Sequence, residues 1–409
     1  MLIENIGAKC RLCLDSNIEF FWKIVESSHG DAFRDQKLEA ISQERVSLTL
    51  GICKSCGLLQ ILETFDSKSQ YSDYLYKTSN TNALSNYYER LSRNLIYLYQ
   101  FSKNDLIIDI GSNDGTFLKF FKTLGYSVIG IEPSTPTAHQ ANLDGIKTIN
   151  SFFDKNSVQE ILKLGKIGLI SINYTIANVP NLEIFFENLI KIMSEETIVS
   201  IVTGYHPDQF AVKMFDYVGH DHLSYLSLTS LSNLCKKFGL KIFSAERIEH
   251  KGGSIHVLLG RSSSKIESNS SVKQLIQREK WLDIENIEYH LQFKKVIECN
   301  LNEVKEFVGK LGNTSILGVG ASISTSYLIK TLDLGQKISY LFDDDLNKIG
   351  KFSPNYGIEV KPLSDIREFN GKPILLLAWQ HTDKLLERLE ECGYVGKIII
   401  PFPKLKVIN

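Results

Sequence analysis

Neither sign of charge dominates this chain. Its 46 Lys and Arg residues stand against 47 Asp and Glu over 409 residues, a formal net charge of −1. Without a basic excess there is no electrostatic footprint for nucleic acid or for an anionic membrane surface, so neither is expected as a partner. Long apolar runs are missing too: no window approaches the roughly 18 consecutive apolar residues of a membrane span. The opening MLIENIGAKC shows no basic segment followed by an apolar one of the kind that directs secretion. These absences predict a cytoplasmic protein. In a reducing cytosol the seven cysteines are then thiols or metal ligands, not disulfides.

The chain has an apolar fraction of 43% and a charged fraction of 23%, those of an ordinary globular protein. Its length exceeds what one hydrophobic core supports, and about 150 residues per domain suggests three domains. Four cysteines are organised. Cys10 with Cys13 and Cys53 with Cys56 form two C-x2-C pairs, while Cys235, Cys299 and Cys392 stand singly. Two such knuckles supply the four thiolates of a tetrahedral zinc shell. A closed shell leaves no position for substrate, so the expected zinc is structural.

Further along, SNTNALSNYYERLSRNLIYLYQFSKND has an apolar helical stripe of Leu84, Tyr88, Leu91, Leu95 and Leu98. The period then changes. LIIDIGSNDGTFLKFFKTLGYSVIGIEPS reads as a strand over 106–110, a turn from Gly111 to Gly115, a helix over 116–124 and a second strand over 127–132. Small residues in the turn let backbone N–H groups approach a ligand, and Glu132 ending the second strand can accept the hydroxyls of a ribose. G-x-G-x-x-G, which packs glycines under a dinucleotide pyrophosphate, is lacking here. The turn is D-I-G-S-N-D-G-T, and the carboxylates of Asp109 and Asp114 repel a pyrophosphate but suit the ammonium, sulfonium and ribose of S-adenosylmethionine. Asp109, Gly111, Ser112, Asn113, Gly115 and Glu132 are therefore the candidate cofactor residues.

A buried strand is predicted over 167–173, and its carboxyl end delivers Tyr174, Thr175 and Asn178 to the crevice where open α/β sheets bind ligands, with Tyr174 a further cofactor candidate and Asn178, like His206 below, a candidate for the substrate. Another over 197–202 delivers Tyr205, His206, Asp208 and Gln209. Then comes GHDHLSY, residues 219–225, with His220 and His222 on either side of Asp221. On a strand the two histidines share one face, but no further metal ligand is evident nearby. His250 and His256 flank a glycine pair. Trp22, Trp281 and Trp379 are expected to pack. Residues 266–310 read as connecting helices. SILGVGAS then begins a second strand, glycine turn and helix, where Gly318, Gly320, Ala321 and Ser322 could cradle a diphosphate.

In their order along the chain these pieces resemble the three-domain sugar C-methyltransferases, which methylate the 3-position of nucleotide-linked 4-keto-6-deoxysugars. The resemblance covers nearly the whole chain. It rests on the paired C-x2-C, YLYKTSNTN at 74–82, DIGSNDGTFL at 109–118 and GHDHLSYLS at 219–227. HKGGSIHVLLGR at 250–261, ILGVGAS at 316–322 and FDDDLNKIGKFSPNYGIEV at 342–360 continue it. It implies an α/β chain in four stretches. These are a zinc-binding domain at 1–70, a Rossmann-like class I methyltransferase core at 71–265, a helical connection at 266–310 and a Rossmann-like domain holding a nucleotide sugar at 311–409. The form expected is a monomer or a weak homo-oligomer.

The chemistry implied is removal of a proton beside a keto group, followed by attack of the enolate carbon on a sulfonium methyl. The resemblance makes His222 the base, places His220 and Asp221 in the same relay, and makes Tyr76 an active-site tyrosine. The chain also departs from the family's pattern. Gly219 stands where relatives carry tyrosine, Asp221 where they carry glutamate, Asn178 where they carry histidine and Tyr174 where they carry asparagine. The donor side is unaffected by these changes, but the acceptor side is altered. Methylation of a sugar oxygen or nitrogen on the same scaffold, and binding without catalysis, therefore stand as alternatives to C-methylation.

Overall fold

A computed structural model of the chain describes residues 2–5, 9–28, 32–65, 71, 77–322 and 324–409. It divides into two compact units. The first comprises Met1–Glu19, Gly51–Gln209 and Leu223–Asn286, and the second Phe20–Leu50, Phe210–His222 and Ile287–Asn409. Residues 20–50, which the sequence reading grouped with 1–70, belong to the second unit. No helix among the described residues is long and apolar enough to cross a membrane.

The first unit is built on a seven-stranded sheet. In chain order its strands are β1 (Leu106–Ile110), β2 (Ser127–Ile131), β3 (Thr148–Ile149), β4 (Ile167–Asn173), β5 (Ile198–Gly204), β6 (Leu240–Ile248) and β7 (Ser254–Arg261). Across the sheet they run β6-β7-β5-β4-β1-β2-β3. β1 pairs in parallel with both β2 and β4, and β7 is antiparallel to β5 and β6. Every residue of β1 and β4 is buried. A parallel strand covered on both faces reads as an unbroken apolar run, which is why LIIDI and the 167–173 strand were legible in the sequence. The strand order reverses between β1 and β4, so the crevice at their carboxyl ends is the topological switch point where such sheets bind ligands.

Helices cover both faces of the sheet. α1 (Asn82–Tyr99) buries Leu84, Tyr88, Leu91 and Leu95, and α2 (Thr116–Thr123) packs Phe117, Leu118 and Phe121 into the same cluster. Leu98, read as part of the α1 stripe, lies in its last turn and is 60% exposed. Further on, α3 (Leu228–Lys237) has a capping box at Ser227 and a second cap from α4 (Ser270–Leu282). Glu279 of α4 accepts the N–H groups of Leu228 at 2.7 Å and Thr229 at 2.7 Å, together with the Thr229 hydroxyl. A carboxylate at a helix N-terminus satisfies donors that have no partner within the helix and interacts favourably with its dipole. Trp281, on the same helix and expected to pack, is instead 80% exposed.

The second unit contains a six-stranded sheet of β8 (Ile316–Val319), β9 (Ile338–Asp343), β10 (Val360–Pro362), β11 (Ile374–Leu376), β12 (Ile398–Ile400) and β13 (Lys406–Ile408). Its order is β10-β9-β8-β11-β12-β13, parallel throughout except for β13. The connecting helices predicted from the charged stretch are α4 and the long α5 (Ile287–Lys310), which buries Phe293, Ile297, Leu301, Val304 and Val308. Phe210 stacks on Phe293 at 3.7 Å between ring centroids. Asn355, at φ 63, ties residues 28 and 43 into this unit by accepting from the Ser28 N–H at 2.8 Å and donating to the Gln43 carbonyl at 2.9 Å.

Glu279→Ala strips two helix N–H groups and a hydroxyl of their acceptor in a buried setting, and should cost roughly 2–4 kcal/mol in urea unfolding of the first unit. A change within 0.5 kcal/mol would show that Ser227 alone caps α3.

Candidate functional site

A cavity of about 540 Å³ opens at the switch point of the first unit. Asp109, Gly111, Ser112 and Asn113 from the end of β1, Glu132 from the end of β2, and Asn173, Tyr174, Thr175 and Asn178 after β4 all line it. The fold supplies the reasons for two of these residue types. Gly111 has φ 76, and a Cβ there would run into the Thr175 side chain. Asn113 and Tyr174 adopt the left-handed region without being glycine, at φ 51 and 53. Gly115, at φ 74, lies outside the lining; its missing side chain makes room for Ile146, 3.0 Å from where a Cβ would sit.

The acids divide by role. Asp109 is buried, accepts from the Ser171 hydroxyl at 2.6 Å and Asn173 Nδ2 at 3.4 Å, and titrates at about 7. Burial is the largest cause and the nearby Glu132 charge adds to it, while the two hydrogen bonds pull the other way. Glu132 is also raised, by burial first and by the Asp114 charge, although it accepts the N–H groups of Asn113 at 2.9 Å and Ser134 at 2.8 Å. Asp114 does not line the cavity. Its carboxylate accepts from the Thr116 hydroxyl at 2.6 Å and from the Ser79 N–H at 3.0 Å, and the adjacent Asn113 side chain accepts the Thr78 N–H at 2.8 Å. Asp114 therefore ties the turn to residues 78–79 and has no free face for a ligand.

Three buried polar atoms on the cavity wall, Ser112 Oγ, Asn173 Oδ1 and Asn178 Oδ1, have no hydrogen-bond partner among the described residues. Buried polar atoms are rarely left so, and at a cavity wall they point to a ligand that donates or accepts there. With two carboxylates beside them, the wall fits a ligand bearing hydroxyls and positive charge, which matches the donor set of S-adenosylmethionine. Lys251 also lines the cavity, and nothing in HKGGS marks it as a site residue. Neither His250 nor His256 lines the cavity. His250 sits 4.9 Å from the Tyr87 ring, while His256, pushed down to about 4 by burial, pairs through Nε2 with the Ser200 hydroxyl at 3.0 Å. His206 is fully buried, with Nδ1 3.2 Å from the Leu226 carbonyl, and is likewise outside the lining.

GHDHLSY is not a strand at its histidines, which corrects the expectation that they share a strand face. Residues 220–221 form a turn closed by the His222 N–H on the Gly219 carbonyl at 3.2 Å. His222 Nδ1 lies 3.2 Å from Asp221 Oδ1, and Tyr217 covers the imidazole at 4.4 Å between ring centroids. Burial would raise the Asp221 carboxyl, but the charge and hydrogen bond of His222, with His220 adding to them, hold it well below the ordinary range. A proton on Nδ1 shared with Asp221 leaves Nε2 as the basic nitrogen. Gly219 has a local explanation, since a Cβ there would stand 2.9 Å from the Asp221 carboxylate. Tyr225 closes the heptapeptide buried, where the Ser224–Tyr225 strand pairs with Leu59–Ile61. Tyr76 lies outside the described residues.

The second glycine turn is already engaged by the protein. The Ala321 N–H donates to Asp343 at 2.6 Å and the Ser322 N–H to Thr325 Oγ1 at 2.8 Å, while Gly320 (φ 104) passes tightly against Ala378. Gly318 makes room for Leu341 and Leu377. The cradle expected at Gly318, Gly320 and Ser322 thus has its N–H groups occupied and a carboxylate at its mouth. Trp379, expected only to pack, donates to the buried Asp216 at 2.9 Å.

Elsewhere in the first unit, Cys10, Cys13, Cys53 and Cys56 bring their sulfurs within 4.8 Å of one another. The sulfurs of Cys10 and Cys56, and those of Cys13 and Cys53, stand 3.5 Å apart. Sulfurs bound at about 2.3 Å to one tetrahedral zinc lie roughly 3.8 Å apart, so the set can hold one ion with little adjustment. Each knuckle closes in the same way. The Leu14 N–H returns to the Cys10 carbonyl and the Gly57 N–H to the Cys53 carbonyl, both at 2.9 Å, and both residues are left-handed at φ 64 and 71. As bare thiols they share protons awkwardly: hydrogen bonds from Cys10 and Cys56 pull Cys53 down while those to Cys10 and Cys53 push Cys56 up.

Residues 83–245 match a family described as a methyltransferase domain, and residues 249–403 one described as a C-methyltransferase C-terminal domain. The C-methyltransferase NovU of Streptomyces niveus is 24% identical over 367 residues, 88% of this chain and 87% of its own. Among solved structures, the plantazolicin methyltransferase BpumL in complex with SAH has a TM-score of 0.33 and 15% identity, covering 42% of this chain and 82% of that one. A SAM dependent methyltransferase from Archaeoglobus fulgidus has a TM-score of 0.36 and 12% identity, covering 43% and 94%.

The raised Asp109 gives a signed expectation. A carboxyl whose folded pKa exceeds its unfolded value contributes stability that is lost as pH rises through the folded value, here about 7. Asp109→Asn should therefore raise the thermal midpoint relative to the parent by more at pH 8 than at pH 5.5, and an equal gap at both would contradict a protonated Asp109. For the cysteine cluster, titration with a mercurial should release one zinc per chain, and Cys53→Ser should lower both zinc content and thermal midpoint. A parent protein free of zinc at full stability would exclude a structural ion.

Proposed function

Because this chain is a methyltransferase that carries a C-methyltransferase C-terminal domain, we propose that it transfers a methyl group from S-adenosylmethionine to the carbon beside the keto group of a nucleotide-linked deoxysugar. The observation that carries the donor side is the cavity at the switch point, with Asp109 and Glu132 beside three buried polar atoms that have no partner among the described residues. The acceptor side rests on the sequence resemblance and on the likeness to a C-methyltransferase over 88% of the chain.

When bound, S-adenosylmethionine supplies an electrophilic methyl on a sulfonium. Glu132 keeps an acceptor lone pair for the ribose hydroxyls after taking its two backbone N–H groups. Asp109 becomes a carboxylate facing the donor's positive charge, so the donor is held more tightly as pH rises toward about 7. Ser112 and Asn113 border the ribose side, and Tyr174 and Asn178 the side where donor and acceptor meet. His222 is the proposed base. Asp221 holds its Nδ1–H, which leaves Nε2 to take the proton from the acidic carbon, and the low-titrating carboxylate stabilises the imidazolium that results. Tyr217 packs on the imidazole and restrains its ring plane. His220 and Tyr76 complete the proposed acceptor side. His206, fully buried on the Leu226 carbonyl, is better read as structural. The nucleotide is assigned to residues 311–409 without using the occupied turn at 320–322. Zinc at the four cysteines would hold the two knuckles together, and a reducing, cytoplasmic location suits those thiols.

A nucleotide-linked 4-keto-6-deoxysugar in deuterated buffer should exchange the hydrogen beside its keto group with the parent protein. His222→Ala should lose that exchange and at least about a thousandfold in methyl transfer, with S-adenosylhomocysteine affinity changed less than threefold. Retained exchange in the variant would remove His222 as base, and labelled methyl found on oxygen or nitrogen would replace C-methylation with its alternatives.

A further inference from the structure

On the reading of the cavity as the donor pocket, we infer that the Lys251 ammonium binds the α-carboxylate of the donor's amino-acid tail. Among the described residues that line the cavity Lys251 is the single lysine or arginine, and it shares that lining with Asp109 and Glu132. Its position is enforced by the chain. Residues 251–253, in the connection from β6 to β7, have φ of 53, 74 and 124. The Gly253 N–H and the Ser254 hydroxyl both return to the His250 carbonyl, at 3.1 and 2.8 Å, and Gln209 Nε2 donates to the Lys251 carbonyl at 3.3 Å. A lysine in the left-handed region is sparsely populated and persists where its surroundings require it.

The second half of the arrangement comes from β4. Tyr174 is also left-handed, its N–H donates to the Val202 carbonyl at 2.7 Å and its hydroxyl to Ser254 Oγ at 3.2 Å. Its ring is thereby presented to Lys251, whose Nζ lies 4.0 Å from the ring centroid. The aromatic face holds one side of the ammonium and fixes its place on the cavity wall.

Charge order along the strand ends then selects the ligand group. Moving across the sheet, Glu132 ends β2, Asp109 lies near the end of the neighbouring β1, and Lys251 is held over Tyr174 at the end of β4, next in order. A ligand that presents hydroxyls, then positive charge, then a carboxylate matches this sequence from end to end. S-adenosylmethionine has ribose, sulfonium and ammonium, and carboxylate in that order. A diphosphate at Lys251 would instead bring several negative charges toward Asp109, whereas the carboxylate of an amino acid arrives with an ammonium that Asp109 can take.

Calorimetric binding of two neutral-sulfur ligands tests the assignment. S-adenosylhomocysteine keeps the amino-acid tail, and 5′-methylthioadenosine lacks it. Lys251→Met should weaken the first by roughly tenfold or more and the second by less than about threefold, with Lys251→Arg keeping most of the preference. Binding of 5′-methylthioadenosine doubles as the check that the variant is folded. Equal loss for both ligands, or loss for neither, overturns the assignment. So does competition between inorganic pyrophosphate and S-adenosylhomocysteine in the parent that disappears in Lys251→Met, which would make the lysine a phosphate group's partner. Failure of the parent itself to bind S-adenosylhomocysteine overturns the pocket reading and this one with it, and is distinguishable because it appears before any substitution.

Discussion

The first unit is organised around a carboxyl group placed beneath the end of a fully buried strand. Asp109 cannot face water, so its charge has to be answered by Ser171, by Asn173 and by whatever enters the cavity. Burial of an acid near a second acid is unfavourable for the protein alone, and it pushes both groups toward protonation. A ligand carrying positive charge reverses that balance. Shifted ionisable groups of this kind recur where binding sites are built.

The rest of the cavity follows from how strands end. Parallel strands covered on both faces have no freedom in register, so residues just beyond β1, β2 and β4 are delivered to fixed points along one edge. Departures from ordinary backbone geometry concentrate there: Gly111, Asn113 and Tyr174 are all left-handed, as is Lys251 in the neighbouring connection. Each is held by specific hydrogen bonds, and each turns a side chain or a backbone N–H toward the cavity or removes a Cβ from it. The second sheet repeats the strand, turn and helix plan but closes its glycine turn with Asp343 and Thr325. Both turns have backbone donors taken by the protein; the difference is that beside the first one the side-chain atoms Ser112 Oγ, Asn173 Oδ1 and Asn178 Oδ1 have no partner among the described residues.

At GHDHLSY the carboxylate between the histidines selects one nitrogen. Asp221 binds His222 at Nδ1, Tyr217 covers the ring, and a Cβ at Gly219 would meet the Asp221 carboxylate. Glycine at 219, which the resemblance marks as a departure, leaves room for the Asp221 carboxylate. An aromatic ring is still supplied, from two residues earlier.

Much of this protein was legible before any coordinates. Unbroken apolar runs located β1 and β4 to within a residue, the C-x2-C pairs identified the thiol cluster, and the acids at 109 and 132 marked the cavity, because each depends on local composition or short spacing. What sequence could not supply is the set of partners from afar. Asp114 looked like a ligand group until Thr116 and Ser79 claimed it, and the N–H groups at 321 and 322 looked available until Asp343 and Thr325 took them. Trp281 looked like core and is 80% exposed. Nothing in the sequence pairs Lys251 with Tyr174, 77 positions earlier in the numbering, yet its ammonium lies over that ring. The sequence by itself determined the elements and the chemical groups on offer. Tertiary structure alone decided which of those groups are spent on the fold and which remain for a ligand, because a buried polar group is defined by its nearest neighbours in space and not by those along the chain.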